Sequence, residues 1–290
     1  MRITNVLGGV ILAASLPYAG TGSASTFDII LDISGATSAQ AEAFTIAASI
    51  WETLITGYTV DDYSTPLTVS MSVTDIDGSG GTLGYGGPSY GQFADSELYV
   101  TSGLVAFDTD DIDSYSLTDL VTLALHEVAH VIGFGTLWEY GPYDLTDASG
   151  YRDAANATEY TGANAVAAYN DEMGLTGDSL VTSIALEEAG GSGTAGSHWD
   201  ETDYGLGTDD ITYELMTGWY NGADSAYISA FTLASFEDLG YTTLWSEGSY
   251  TAMSIDELIA MVTAVPLPGS LMLIGSGFGL LTLIRKGRRA

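Results

Sequence analysis

The stretch LVTLALHEVAHVIGFGTLW, residues 120–138, decides the fold. Leu117, Leu120, Val121, Ala124, Leu125 and Val128 recur at helical spacing, so this segment is expected to be a helix with one buried face. Ser116 with Asp119 three residues on reads as its capping pair, and Gly133 as its stop. Within it lies His126-Glu127-Val128-Ala129-His130. Residues four apart share a helix face, so two imidazoles in this order can hold one zinc ion, with the intervening Glu127 directed at a water beside the metal. Chance is a poor account of the string. With 3 His in 290 residues, random placement produces it in roughly one of several hundred such sequences. The remaining histidine, His198, follows 68 residues after His130.

Upstream of this helix the pattern is α/β in order. Phe27, Ile29, Leu31 and Ile33 alternate as one face of a strand, and Thr37 with Gln40 opens a helix expected to end near Gly57. That helix carries the apolar stripe Phe44, Ala47, Ala48, Trp51 and Ile55. Leu67 to Val73 alternates again. A glycine-rich loop is expected from Gly78 to Gly91, then two short strands around Leu98–Val100 and Leu104–Phe107. Downstream of Gly133 the chain is looser, rich in Gly, Ala, Asp and Tyr. Short helices are expected at 163–169, 229–239 and 254–261. The body is therefore divided into subdomains 25–133 and 134–264.

The charge is lopsided, with 38 acidic against 6 basic residues. All the acids lie between Asp28 and Glu257, where Arg152 is the only base. Such a polyanion has no basic surface for phosphates, which excludes nucleic acid as a partner. There is no cysteine, hence no disulfide framework and no thiol nucleophile. Arg2, the apolar run from Val6 to Leu16 and the small residues around Ala24 have the order of a secretory signal peptide, residues 1–24. At the other end Val265-Pro266-Leu267-Pro268 precedes an apolar stretch to Ile284 and then Arg285, Lys286, Arg288 and Arg289. Counted from Val265 this segment, 265–290, is just long enough to span a bilayer, with its basic end on the cytoplasmic side. Membrane contact is expected only through these terminal segments.

The string continues as HExxHxxG through Gly133, which resembles the metzincin metallopeptidases. In those enzymes the glycine breaks the helix and the chain returns a third histidine, usually three residues on. Here that position is Thr136. The departure matches one branch, and the chain resembles leishmanolysin-type (M8-like) peptidases and their bacterial relatives, in which an insertion separates glycine and third ligand. The resembling stretches are HEVAHVIGFGTLW (126–138), GGSGTAGSHWDE (190–201), ELMTGWY (214–220) and LASFEDLGY (233–241), with FDIILDISG at the start.

The resemblance implies an α+β metzincin-type zincin: an N-terminal twisted sheet with the active-site helix, then a looser, mainly helical C-terminal subdomain. It implies a zinc-dependent endopeptidase acting on proteins or peptides, with His126, His130 and His198 as ligands and Glu127 as catalytic base. Met216 would be the Met-turn, and Gly133 the helix-breaking turn. Tyr220 has the wrong offset for the oxyanion tyrosine of some metzincins and reads better as an aromatic wall. The tail resembles the PEP-CTERM sorting signals of Gram-negative bacteria in their VPLP form. That implies a sorting enzyme that removes the tail, and a body delivered to the cell surface or medium. Three alternatives stand beside these expectations: a plain C-terminal anchor, a surface binding module that keeps a structural zinc, and a third ligand drawn from Glu159, Glu187 or Glu188. Asp75-Ile76-Asp77-Gly78 resembles the opening of a calcium loop without the rest of an EF-hand, so Ca2+ is a candidate second ion. Asp108, Asp110, Asp111 and Asp113 read as a solvated turn and helix cap. The latency cysteine of leishmanolysin has no counterpart here.

Overall fold

The computed structural model describes residues 27–95, 97–138, 158–191, 193–201 and 211–264. The signal-peptide and tail expectations, 1–24 and 265–290, lie outside the described residues, as does Arg152. Among the described residues no helix is long and apolar enough to cross a membrane.

A four-stranded sheet of order β1-β3-β5-β4 carries the first half. β1 (Ile29–Ser34) opens it, followed by helix α1 (Ser38–Leu54) and the short β2 (Ile55–Tyr58). β3 (Leu67–Thr74) runs parallel to β1, and β5 (Glu97–Asp108) parallel to β3. β4 (Gly84–Ala94) closes the edge antiparallel to β5. One turn, α2 (Thr109–Ile112), leads to α3 (Leu117–Ile132). The alternation does the work that period two requires: Leu67, Val69, Met71, Val105 and Phe107 are buried, while Ile30 and Leu104 on the other face are exposed. Helices α1 and α3 pack together beneath the sheet, joined by the Trp51 indole N–H donating to the Leu125 carbonyl at 3.0 Å.

Two expectations are corrected in this region. The expected glycine-rich loop from Gly78 to Gly91 is mostly strand β4, and the two short strands expected after it are the single β5. Glycine has little strand propensity of its own, so the pattern carried no signal. Tertiary packing decides the matter: a Cβ at Gly86 would stand 2.4 Å from the Glu127 carbonyl oxygen, so β4 rests directly on the backbone of α3. Ser102 and Gly103, which interrupt the apolar pattern of β5, are held on both sides by ladder pairing.

The second half holds α4 (Ala163–Glu172), α5 (Ala230–Asp238) and α6 (Ile255–Thr263), near the expected places. It also holds strand pairs that the sequence did not announce. β6 (Glu159–Tyr160) pairs with β7 (Ile184–Ala185), and β8 (Tyr227–Ile228) with β10 (Met253–Ser254). β9 (Tyr241–Thr243) pairs with β2, and α6 packs on α1, so the last described elements are fastened to the first. Fully buried Phe134, Trp138, Tyr160, Trp199, Phe231 and Phe236 form the aromatic core between α3 and α5.

Candidate metal centre

Helix α3 starts on a reciprocal capping box between Ser116 and Asp119 and ends at Gly133, whose N–H returns to the Ala129 carbonyl. Gly133 has φ 140°, a value few side-chain-bearing residues adopt. The turn brings the Phe134 carbonyl back to His130, whose Nδ1 donates to it at 2.9 Å. Two residues on, Gly135 marks the approach of the loop carrying His198: a Cβ there would stand 2.3 Å from the Ser197 carbonyl oxygen. That contact brings in a histidine from far along the chain.

The three histidines converge. Their Nε2 atoms stand 3.1 Å (His126–His130), 3.1 Å (His126–His198) and 3.0 Å (His130–His198) apart. Each Nδ1 donates to a main-chain carbonyl: His126 to Leu215 at 2.7 Å, His130 to Phe134 at 2.9 Å, and His198 to Thr194 at 2.9 Å. With the proton fixed on Nδ1, each neutral ring turns an Nε2 lone pair to the common centre. Burial holds all three below the ordinary histidine value, and the neighbouring imidazoles add to it at His130, which lies well below, and at His198, lowered to about 3. Three neutral imidazoles with lone pairs facing one another are a donor set for a cation. Ligands at about 2.0–2.1 Å around a tetrahedral zinc are themselves about 3.3 Å apart, close to these spacings. Among the described residues this is the one group of His, Asp or Glu side chains so clustered.

The glutamates weighed as alternative third ligands stand elsewhere. Glu187 accepts from the Ala189 N–H at 2.6 Å and the Trp219 indole at 3.3 Å, and Glu159 and Glu188 are exposed. Calcium finds no support either. Asp108 is saturated by the N–H groups of Ile76, Asp77, Gly78 and Asp110, and Asp77 by the N–H and hydroxyl of Thr82. These carboxylates staple the loop and cap α2; their lone pairs are taken by hydrogen bonds.

Glu127 lies on α3 between the two helix histidines and lines the same cleft, a cavity of about 800 Å³. Burial raises its carboxyl to about 8 against an opposing hydrogen bond from the Gly86 N–H. Sequence reasoning missed Gly86, because a main-chain donor leaves no side-chain signature. Met216 is fully buried, and its carbonyl accepts from Trp199 N–H at 3.0 Å, one residue from His198. Tyr220 lines the cleft, but its hydroxyl donates to Asp119 and its ring stacks on Tyr115. It is thereby held as wall, in keeping with its offset. Glu214, which the sequence marked only as part of a string, is buried and bonded on both carboxylate oxygens.

A leishmanolysin homolog of Crithidia fasciculata is 34% identical over 122 residues, which are 42% of this chain and 17% of that protein. This chain thus matches only a small part of that relative's length. The family model described as leishmanolysin, peptidase M8, matches residues 79–250, a stretch that includes all three histidines, Glu127 and Met216. The chain therefore belongs to the leishmanolysin family, a family of zinc metallopeptidases.

Proposed function

We propose that this chain is an exported zinc-dependent endopeptidase, with His126, His130 and His198 holding the metal and Glu127 as catalytic base. One observation carries the reading: three buried Nε2 atoms within 3.1 Å of one another, on rings whose Nδ1 protons are already committed to carbonyls. Zinc, when bound, supplies a Lewis acid for the scissile carbonyl and brings the pKa of a water to about 7. The protein supplies the rest. Glu127 takes the proton of the attacking water on its carboxylate and passes it to the leaving amine nitrogen. Gly86 of β4 lies directly against Glu127, and its N–H favours the charged carboxylate. Gly133 sets the return of the chain, and Met216 is read as the Met-turn. Residues 25–133 and 134–264 are read as the two subdomains that meet at the cleft.

The decisive test is zinc content and cleavage of a peptide library by the purified chain, with and without a chelator. One zinc per chain and chelator-sensitive cleavage are expected. A protein that takes up no zinc sinks the reading. Location rests on the sequence of the two ends: a signal peptide over 1–24, and a tail over 265–290 that a sorting enzyme removes near Pro266. The mature body would then reach the surface or medium of a Gram-negative bacterium.

A further inference from the structure

Glu214 is 2% exposed, and a carboxylate taken out of water is costly unless donors surround it. Four do. Its Oε1 accepts from the Ser229 N–H at 3.1 Å, the Ser229 hydroxyl at 2.8 Å and the Thr232 hydroxyl at 2.6 Å. Its Oε2 accepts from the Met216 N–H at 2.6 Å. The last contact matters most. The Met216 N–H and the Leu215 carbonyl belong to one rigid, planar peptide group, and that carbonyl accepts the Nδ1 proton of His126 at 2.7 Å. A continuous line therefore runs from carboxylate to peptide N–H, through the peptide to its carbonyl, and on to the imidazole.

We propose that Glu214 is a positioning residue of the metal site, acting on His126 through the 215–216 peptide. The inference rests on the zinc reading above. Zinc-binding imidazoles commonly donate their other N–H to a carboxylate, which fixes the ring and raises its basicity. Here the carboxylate stands one peptide further out. It fixes the plane of that peptide and polarises it, which strengthens the carbonyl as acceptor. The same side chain reaches the third histidine. Thr232, which donates to Glu214, accepts the Trp199 indole N–H at 2.7 Å, and the Trp199 N–H donates to the Met216 carbonyl at 3.0 Å. One buried carboxylate thus ties α5, the Met216 turn and the segment after His198 to a single register.

Glu214→Gln separates this role from simple packing. The amide oxygen can still serve Ser229 and Thr232, while the amide nitrogen then faces the Met216 N–H, donor against donor. Zinc affinity is expected to fall about tenfold, and the visible spectrum of the cobalt-substituted protein to change. The control is Glu52→Gln, a half-buried carboxylate of α1 that accepts from the Ile29 N–H of β1 at 2.8 Å and shares no hydrogen bond with the groups that hold the histidines. It is expected to lower Tm and leave affinity and spectrum as in wild type. A Glu214→Gln protein with wild-type zinc affinity and cobalt spectrum overturns the inference and leaves the zinc reading standing. A wild-type chain that binds no zinc overturns both. If Glu214→Gln does not fold, Thr232→Val carries the test: it removes one donor to Glu214 and the acceptor of Trp199. Several-fold weaker zinc binding is expected, and unchanged affinity overturns the proposal.

Discussion

Each histidine Nδ1 is committed to a main-chain carbonyl, so the site is built on backbone positions as much as on side chains. This explains which residues were legible in the sequence. His126, His130, His198 and Glu127 stood out because their side chains carry the chemistry. Leu215, Phe134 and Thr194 did not, because any residue has a carbonyl and only the fold says where it points. Glu127 carries the prediction at this scale. Glu127→Gln removes the base without touching a ligand. The variant is expected to keep one zinc while kcat falls about 10²–10⁴-fold, read as metal content and turnover on the same sample. Near-wild-type turnover by a zinc-loaded Glu127→Gln protein would contradict the assigned role.

At the scale of elements, β4 is the least legible part of the sheet in the sequence and the most informative in the structure. Its glycines look like loop in sequence, yet Gly86 is where the edge strand lies on α3 and donates to Glu127. Helices were easier: Thr37 and Ser116 cap where the sequence placed them, because capping is local chemistry, and α5 and α6 begin within a residue of the expected positions. The pairing of β9 with β2 was invisible, since two partners so far apart in the chain leave no periodic mark. Gly86→Ala tests the strand. A methyl 2.4 Å from the Glu127 carbonyl oxygen must push β4 outward or move α3. The expected result is a kcat loss of one to two orders of magnitude with zinc retained, since no histidine support lies on β4, and a Tm lower by several degrees, from an overpacking cost of about 1–3 kcal/mol. Loss of zinc in parallel with activity would show that α3 itself had moved and that the strand has no separate role. Ser102→Ala, at an intermediate position of the neighbouring β5, is expected to leave kcat unchanged.

At the scale of the whole molecule, the ends and the titration of the interior each make a prediction. If the tail acts as a sorting signal, mass spectrometry of the mature protein finds a C-terminus near Pro266; a chain ending at Ala290 supports the plain anchor. The interior argument concerns the metal-stripped protein. The three histidines have folded values below their ordinary 6.5. Their contribution to stability is complete above 6.5 and is lost as pH falls towards the folded values, about 3 for His198. Glu127 and Glu214 run the other way. Burial raises them from 4.5 to about 8 and about 7. Their contribution is complete below 4.5 and is lost as pH rises through those values, because the folded state must then hold charge out of water. Between pH 4.5 and 6.5 the two sets oppose one another. Above 6.5 the histidines are neutral in both states and only the glutamates set the slope. The metal-stripped protein is therefore expected to lose on the order of 2 kcal/mol of stability between pH 6.5 and 8.5, measured as a falling urea midpoint. Glu127→Gln should show a shallower fall, since one of the two carboxyls is gone. Zinc should flatten the wild-type profile as well, because a cation beside Glu127 favours its charged form. A wild-type midpoint that does not change with pH in the stripped protein would mean that Glu127 is already ionised without metal, and that the cleft is wetter than its burial indicates.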